Sequence, residues 1–160
     1  MLRILLALVT VLVAACGFQL QTQLELPAEM AQLKLQIQSP QSEFARRIES
    51  MLEQSGAQVV STSKDAATLE IPLNRIRQEV QSTGENARVR EYRLRHTVQF
   101  RLLDNENKVL IPLQTLEQSR IYSFNRGNIL ALERENEFLR NELSESLARM
   151  VITRLVTFGK

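Results

Sequence analysis

The side chains best suited to chemistry in this chain of 160 residues are a run of guanidinium groups, one histidine and one cysteine. Arg88, Arg90, Arg93, Arg95 and Arg101 lie close together, with Glu91 the single acid among them. Arg75 and Arg77 precede them in a segment that would pair with theirs. Arginine forks hold phosphate and carboxylate bidentately, so the run reads as an anion-binding strip. The same charges would equally keep an exposed or edge strand soluble. His96 sits among Leu94, Val98 and Phe100 and reads as a histidine of the core or sheet face. Catalysis through it would require a solvent-open ring beside a Ser or Glu. The lone Cys16 excludes an intrachain disulfide framework and a cysteine-cluster zinc site. A glycine-rich phosphate loop, GxSxG and HExxH are all missing from the sequence. The carboxylates gather on the last periodic segment, where they form a solvated face. The chain reads as a non-enzyme without metal or cofactor.

Cys16 owes its meaning to what precedes it. Met1-Leu2-Arg3 is a short positive start, Ile4 to Val13 is apolar except for Thr10, and Ala14-Ala15 follow. This is the pattern of a secretory signal peptide, and its apolar run is about half the ~20 residues that a spanning helix needs. Val13-Ala14-Ala15-Cys16 resembles a bacterial lipobox, in which the cysteine becomes the acylated mature N-terminus. Several acyl chains give stable anchoring where one binds reversibly. Gly17, in place of the Asp that signals inner-membrane retention, points to the outer membrane, facing the periplasm. The expected layout is a signal peptide over 1–15, a lipidated N-terminus and tether over 16–31, and a single domain over 32–160. With 20 basic against 18 acidic residues, and few aromatics interleaved with the arginines, nucleic acid is a poor candidate ligand.

The elements that must position these groups follow from periodicity. Gln32 to Gln38 alternates, with Leu33, Leu35 and Ile37 on one face: a half-buried strand. Ser39-Pro40 opens a helix over 41–55, with Phe44, Ile48, Met51 and Leu52 in its stripe and Gly56 as its stop. Val59-Val60 is a short strand end. Ala67, Leu69, Ile71 and Leu73 alternate in a strand running to about Val80, where Pro72 implies an edge or a bulge. Ser82 to Asn86 is a turn cluster. In the longest strand Tyr92, Leu94, His96, Val98, Phe100 and Leu102 share one face, and Arg93, Arg95, Thr97, Gln99 and Arg101 the other. Asp104 to Asn107 turns the chain into a strand over Lys108 to Phe124. Gly127-Asn128 opens a helix of about 27 residues, acidic early and basic late as its dipole prefers. The sum is a two-layer α+β domain: two helices packed on one face of a four-stranded, mostly antiparallel (mixed) sheet. The other face carries Arg, Thr and Gln.

Several segments, in order, resemble a known family. The lipobox followed by Gly17-Phe18-Gln19-Leu20, Leu26-Pro27 and the strand 32–38 is similar to the N-terminus of LptE-family lipopolysaccharide-assembly lipoproteins. Arg90-Glu91-Tyr92-Arg93-Leu94, Leu110-Ile111-Pro112, Arg120 to Phe124, Leu130-Ala131-Leu132-Glu133 and the long final helix extend the likeness along the chain. The resemblance implies two helices on a four-stranded sheet. It also implies an outer-membrane barrel partner, LptD, which the lipoprotein plugs and helps to assemble, and lipopolysaccharide as ligand. In that family, basic residues near the first hairpin and the start of the last helix are linked to glycolipid binding. This chain has Glu85 and Glu133 there, with Arg88, Arg90, Arg126 and Arg134 nearby as substitutes. The expected glycolipid set is therefore Arg88, Arg90, Arg93, Arg95, Arg126 and Arg134. A general periplasm-facing lipoprotein scaffold in another envelope complex is the alternative.

Overall fold

The computed structural model describes residues 26–83, 89–123 and 129–158. After a 3-10 turn at Ala28–Met30 come β1 (Gln32–Ile37), α1 (Glu43–Gln54), β2 (Gln58–Val59), β3 (Ala67–Thr83), β4 (Val89–Leu103), β5 (Val109–Ser123) and α2 (Ile129–Phe158). The sheet is mixed, in the order β2-β1-β3-β4-β5. β1 lies parallel to β2 and β3, while β3, β4 and β5 run antiparallel as consecutive hairpin strands. Five strands replace the four expected, because Gln58 and Val59, just after α1, align with Gln32 and Leu33.

α1 begins at Glu43, two residues later than the sequence suggested, because residues 39–42 form a turn closed by Ser42 N–H on the Ser39 carbonyl, 3.1 Å. Ser42 then caps the helix, its Oγ accepting from Ala45 N–H at 3.2 Å. At the other end Gly56 has φ +91°, a backbone region costly for any side chain. There Gly56 N–H donates to the Glu53 carbonyl and Ala57 N–H to that of Leu52. That pair of bonds is a Schellman stop. Phe44, Ala45, Ile48 and Leu52 are buried, which bears out the expected stripe.

The two helices and the inner sheet face enclose one main core. Phe44, Ile48 and Leu52 from α1 meet Leu33, Leu69, Ile71, Val98, Phe100 and Leu102 from the sheet and Leu147, Val151 and Leu155 from α2. A smaller cluster of Leu94, Tyr122 and Leu143, flanked by Ile76, Tyr92, Leu132 and Leu139, lies along the early half of α2. α2 is longer than expected, at 30 residues, and its first turns leave Leu130 and Phe138 exposed.

Pro72 behaves as its chemistry requires. β1 ends at Ile37 opposite Ile71, so β3 is an internal strand up to Ile71 and an edge beyond it. Having no N–H to donate, Pro72 occupies a bulge, where the β3–β4 register shifts between Glu70 and Leu73. That shift reverses the alternation. Leu73, expected on the face of Leu69 and Ile71, stands on the opposite face beside Gln99. Asn74 takes the inward position. Farther on, Ser82 and Thr83 prolong β3 rather than turning, and residues 84–86 of the expected turn lie outside the described residues. The β4–β5 turn occurs where expected: Asp104 Oδ1 accepts from Glu106 and Lys108 N–H, and Asn107 adopts φ 64°.

Candidate functional site: the open face of the sheet

The helices cover one sheet face, and the arginine strip lies on the other. In β4 the even-numbered Leu94, His96, Val98, Phe100 and Leu102 are buried. Arg93, Arg95, Thr97, Gln99 and Arg101 alternate with them and point away from the helices. Register extends this open face across neighbouring strands. Glu79 stands opposite Arg93, Arg77 opposite Arg95, Arg75 opposite Thr97 and Glu70 opposite Arg101. On the far side Ile121, Ser119, Glu117 and Thr115 face Arg93, Arg95, Thr97 and Gln99.

Cross-strand acids consume part of the charge. Arg95 donates through Nη1 to Glu117 Oε1 at 2.8 Å and through Nη2 to Glu79 Oε2 at 3.3 Å. Glu117 also accepts from Thr97 Oγ1 at 3.3 Å, and Arg101 pairs with Glu70. Such half-exposed pairs add little stability, yet they fix side-chain positions and local charge. Arg75, Arg77 and Arg93 have no ion pair among the described residues. Like charges directly opposite each other repel, and Arg77 faces Arg95. The Nε–H groups of Arg93 and Arg95 are buried against the sheet without an acceptor. Chemically this is a face of fixed guanidinium groups, two of them neutralised and three available to an oxyanion. β4 is flanked by β3 and β5, so its arginines are not the guard of an edge strand.

The residues expected to bind a ligand are only partly brought together. Arg93 and Arg95 share the open face. Arg90 is exposed where the β3–β4 register shifts again, near Ser82 and Glu91. Arg134 is exposed on α2, in the helix layer on the opposite side of the sheet. Cys16, Arg88 and Arg126 lie outside the described residues. Arg75 and Arg77, which sequence analysis placed beside the strip as an extension, are full members of it.

His96 is fully buried on the covered face. Its Nε2 lies 2.8 Å from Asn74 Oδ1, Asn74 Nδ2 donates to Ser42 Oγ at 2.9 Å, and Ser42 Oγ donates to the Ser39 carbonyl at 2.7 Å. The chain of bonds ties the α1 cap to the middle of the sheet. Phe44 meets the imidazole edge-on at 5.6 Å. Burial, aided by the nearby Arg140 cation, pushes the His96 pKa down to about 4. A neutral, enclosed ring bound to an amide is a structural histidine. Asn74 is the residue sequence reasoning missed here, since only the bulge turns it inward. Among the described residues, no group of three or more His, Cys, Asp or Glu is placed to hold a metal ion.

Fold and face together define a class: a small α+β domain that buries one sheet face under two helices and leaves the other, charged and polar, uncovered by the described residues. Comparison with known proteins gives the class its family. Residues 30–155 match the model of the family described as LptE, lipopolysaccharide-assembly. The LPS-assembly lipoprotein LptE of Yersinia pestis (strain Pestoides F) is 32% identical over 158 residues, covering 98% of this chain and 75% of the relative. The solution structure of lipoprotein B from Nitrosomonas europaea superposes with TM-score 0.77 at 26% identity, over 89% of this chain and 92% of that one. A minor lipoprotein from Acinetobacter baumannii shares the fold, with TM-score 0.69 at 19% identity, over 82% and 94% of the two chains. The chain belongs to the LptE family of lipopolysaccharide-assembly lipoproteins. That family is one of non-enzymatic lipopolysaccharide-assembly lipoproteins.

Proposed function

We propose that this protein is a non-catalytic outer-membrane lipoprotein that plugs and helps assemble the LptD barrel and binds lipopolysaccharide during its insertion. In this reading residues 1–15 are removed as a signal peptide and Cys16 carries the acyl chains. Residues 16–31 tether the domain 32–160, which faces the periplasm. The carrying observation is the open face, on which Arg75, Arg77 and Arg93 stand without ion pairs among the described residues. The lumen of a large barrel is polar, so a plug needs a broad polar surface rather than an apolar one. The guanidinium groups pair with glycolipid phosphates, Arg93 foremost, while Arg95, already held by Glu79 and Glu117, supports its neighbours. Arg88, Arg90, Arg126 and Arg134 complete the proposed contact set.

Affinity purification of the tagged chain from outer membranes tests the partner. A large barrel protein identified as LptD should co-purify, and its absence from the eluate overturns the plug reading. Binding of the purified chain to lipopolysaccharide tests the ligand separately.

A further inference from the structure

Among the described residues, the outer sides of β3 beyond Ile71, of β5 and of β2 have no neighbouring strand. The first two are guarded. Pro72, Arg75 and Arg77 mark β3, while Pro112, Glu117 and the register shifts opposite Phe100 to Leu103 mark β5. Proline, charge and bulges keep a strand from taking on another. β2 lacks all three. Gln58 to Thr62 include neither charge nor proline, and the β1–β2 register is unbroken. Gln58 and Val60 N–H turn toward β1, donating to the Ala31 and Leu33 carbonyls at 2.8 and 2.9 Å. Val59, between them, therefore points its own N–H and C=O to the outer side.

One rung of a further ladder already stands at this edge. Leu26, where the described chain begins, donates its N–H to the Ser55 carbonyl at 3.1 Å and packs against the main core. Upstream of it the sequence alternates. Phe18, Leu20, Thr22, Leu24 and Leu26 fall on one side, and Gln19, Gln21, Gln23 and Glu25 on the other.

We infer that residues 21–25, which lie outside the described residues, pair antiparallel with the outer edge of β2 as a sixth strand of the sheet. In an antiparallel ladder the hydrogen-bonded pairs recur at every second residue. Counted from Leu26 and Ser55, they fall on Leu24 with Ala57 and on Thr22 with Val59. The second pair uses the outward N–H and C=O of Val59. The same register sets the faces. Ala57 is buried and Val59 packs against the core, so Leu24 and Thr22 opposite them turn toward the helices, in line with Leu26. Gln21, Gln23 and Glu25 take the open face. A slip of one residue would bury these polar side chains. The pairing itself does not depend on the lipoprotein reading. Given that reading, it divides the tether. Only residues 16–20 then separate Cys16 from the sheet, spanning about 17 Å instead of the ~34 Å from Cys16 to Leu26 at ~3.4 Å per residue. The β2 end of the domain is thereby held close to the membrane.

Amide hydrogen exchange on the full chain tests the pairing. Thr22, Leu24 and Val59 N–H should exchange ~10-fold or more slowly than Gln21 and Gln23 N–H, which point away from β2. Leu24→Asp should abolish the protection of Val59 and leave that of the β3–β4 ladder unchanged. Cross-linking tests the register. In the chain carrying Cys16→Ser, Gln23→Cys with Gln58→Cys occupies a non-hydrogen-bonded pair, whose Cα atoms stand ~4.5 Å apart, within disulfide reach. This pair should close an intramolecular disulfide ~10-fold or more faster than Gln19→Cys with Gln58→Cys, which is four residues out of register. Equal rates, or disulfides formed only between chains, overturn the inference. Fast exchange at Thr22 and Leu24 overturns it as well, and Val59 protected without them would assign the edge to a different occupant.

Discussion

His96 shows how one buried side chain links fold and pH. Its pKa lies at about 4 in the folded chain, against about 6.5 when unfolded. The unfolded chain therefore takes up the proton first. The stabilising effect of a neutral His96 is complete above pH ~6.5, declines between there and pH ~4, and is gone below that. The difference amounts to about 3 kcal/mol at most. Denaturant unfolding as a function of pH measures this directly. His96→Gln, whose amide donates to Asn74 without titrating, should flatten the curve between pH 6.5 and 4. At neutral pH it should cost about 1–2 kcal/mol for imperfect hydrogen bonding. Alternation alone placed His96 on the inner face. Its partner was illegible, because Asn74 reaches it only after a bulge that no local pattern announces.

Among the elements, α2 divides into halves of unequal weight. Leu147, Val151 and Leu155 are fully buried against α1 and the sheet, whereas Leu130 and Phe138, in the first half, are 72% and 66% exposed. Leu147→Ala should cost 2–5 kcal/mol through lost burial and a residual cavity. Leu130→Ala should change stability by less than about 0.5 kcal/mol. Urea titration of both variants checks the contrast. Much at this scale was readable in the sequence. Period-2 alternation gave both faces of β4, and capping and stop residues gave α1 to within two residues. The extent of core contact along α2 was not readable, since its stripe of Leu132, Leu139, Leu143 and Leu147 is equally apolar where the sheet beneath it is wide and where it is narrow.

For the whole molecule, the distribution of charge outweighs its near-zero sum. The arginine strip was legible as a pattern, but which guanidinium groups remain available was not. That depends on Glu79 and Glu117, far from Arg95 in the chain and adjacent only through register. Binding to purified lipopolysaccharide should weaken several-fold as ionic strength rises from 10 to 150 mM, as exposed charge pairs are screened. The paired change Arg77→Ala and Arg93→Ala should weaken binding and lower that salt dependence, the remaining arginines of the contact set keeping the rest. Arg101→Ala, already spent on Glu70, should leave it nearly intact. Equal losses in the two variants would assign the strip to solubility instead.

The bulge at Pro72 has a consequence for how this segment can vary in length. Every side chain from Leu73 to Val80 owes its face to one extra residue between Glu70 and Leu73. Pairing the segment residue for residue, with no bulge, would restore simple alternation and exchange the two faces of the strand. Leu73 would turn toward His96, Asn74 would turn to solvent, and Arg75 and Arg77 would be driven against the helices. Loss of one residue at the bulge would therefore leave Leu73 opposite Gln99 and every face kept, whereas loss of one residue farther along, before Val80, would turn over the side chains beyond it.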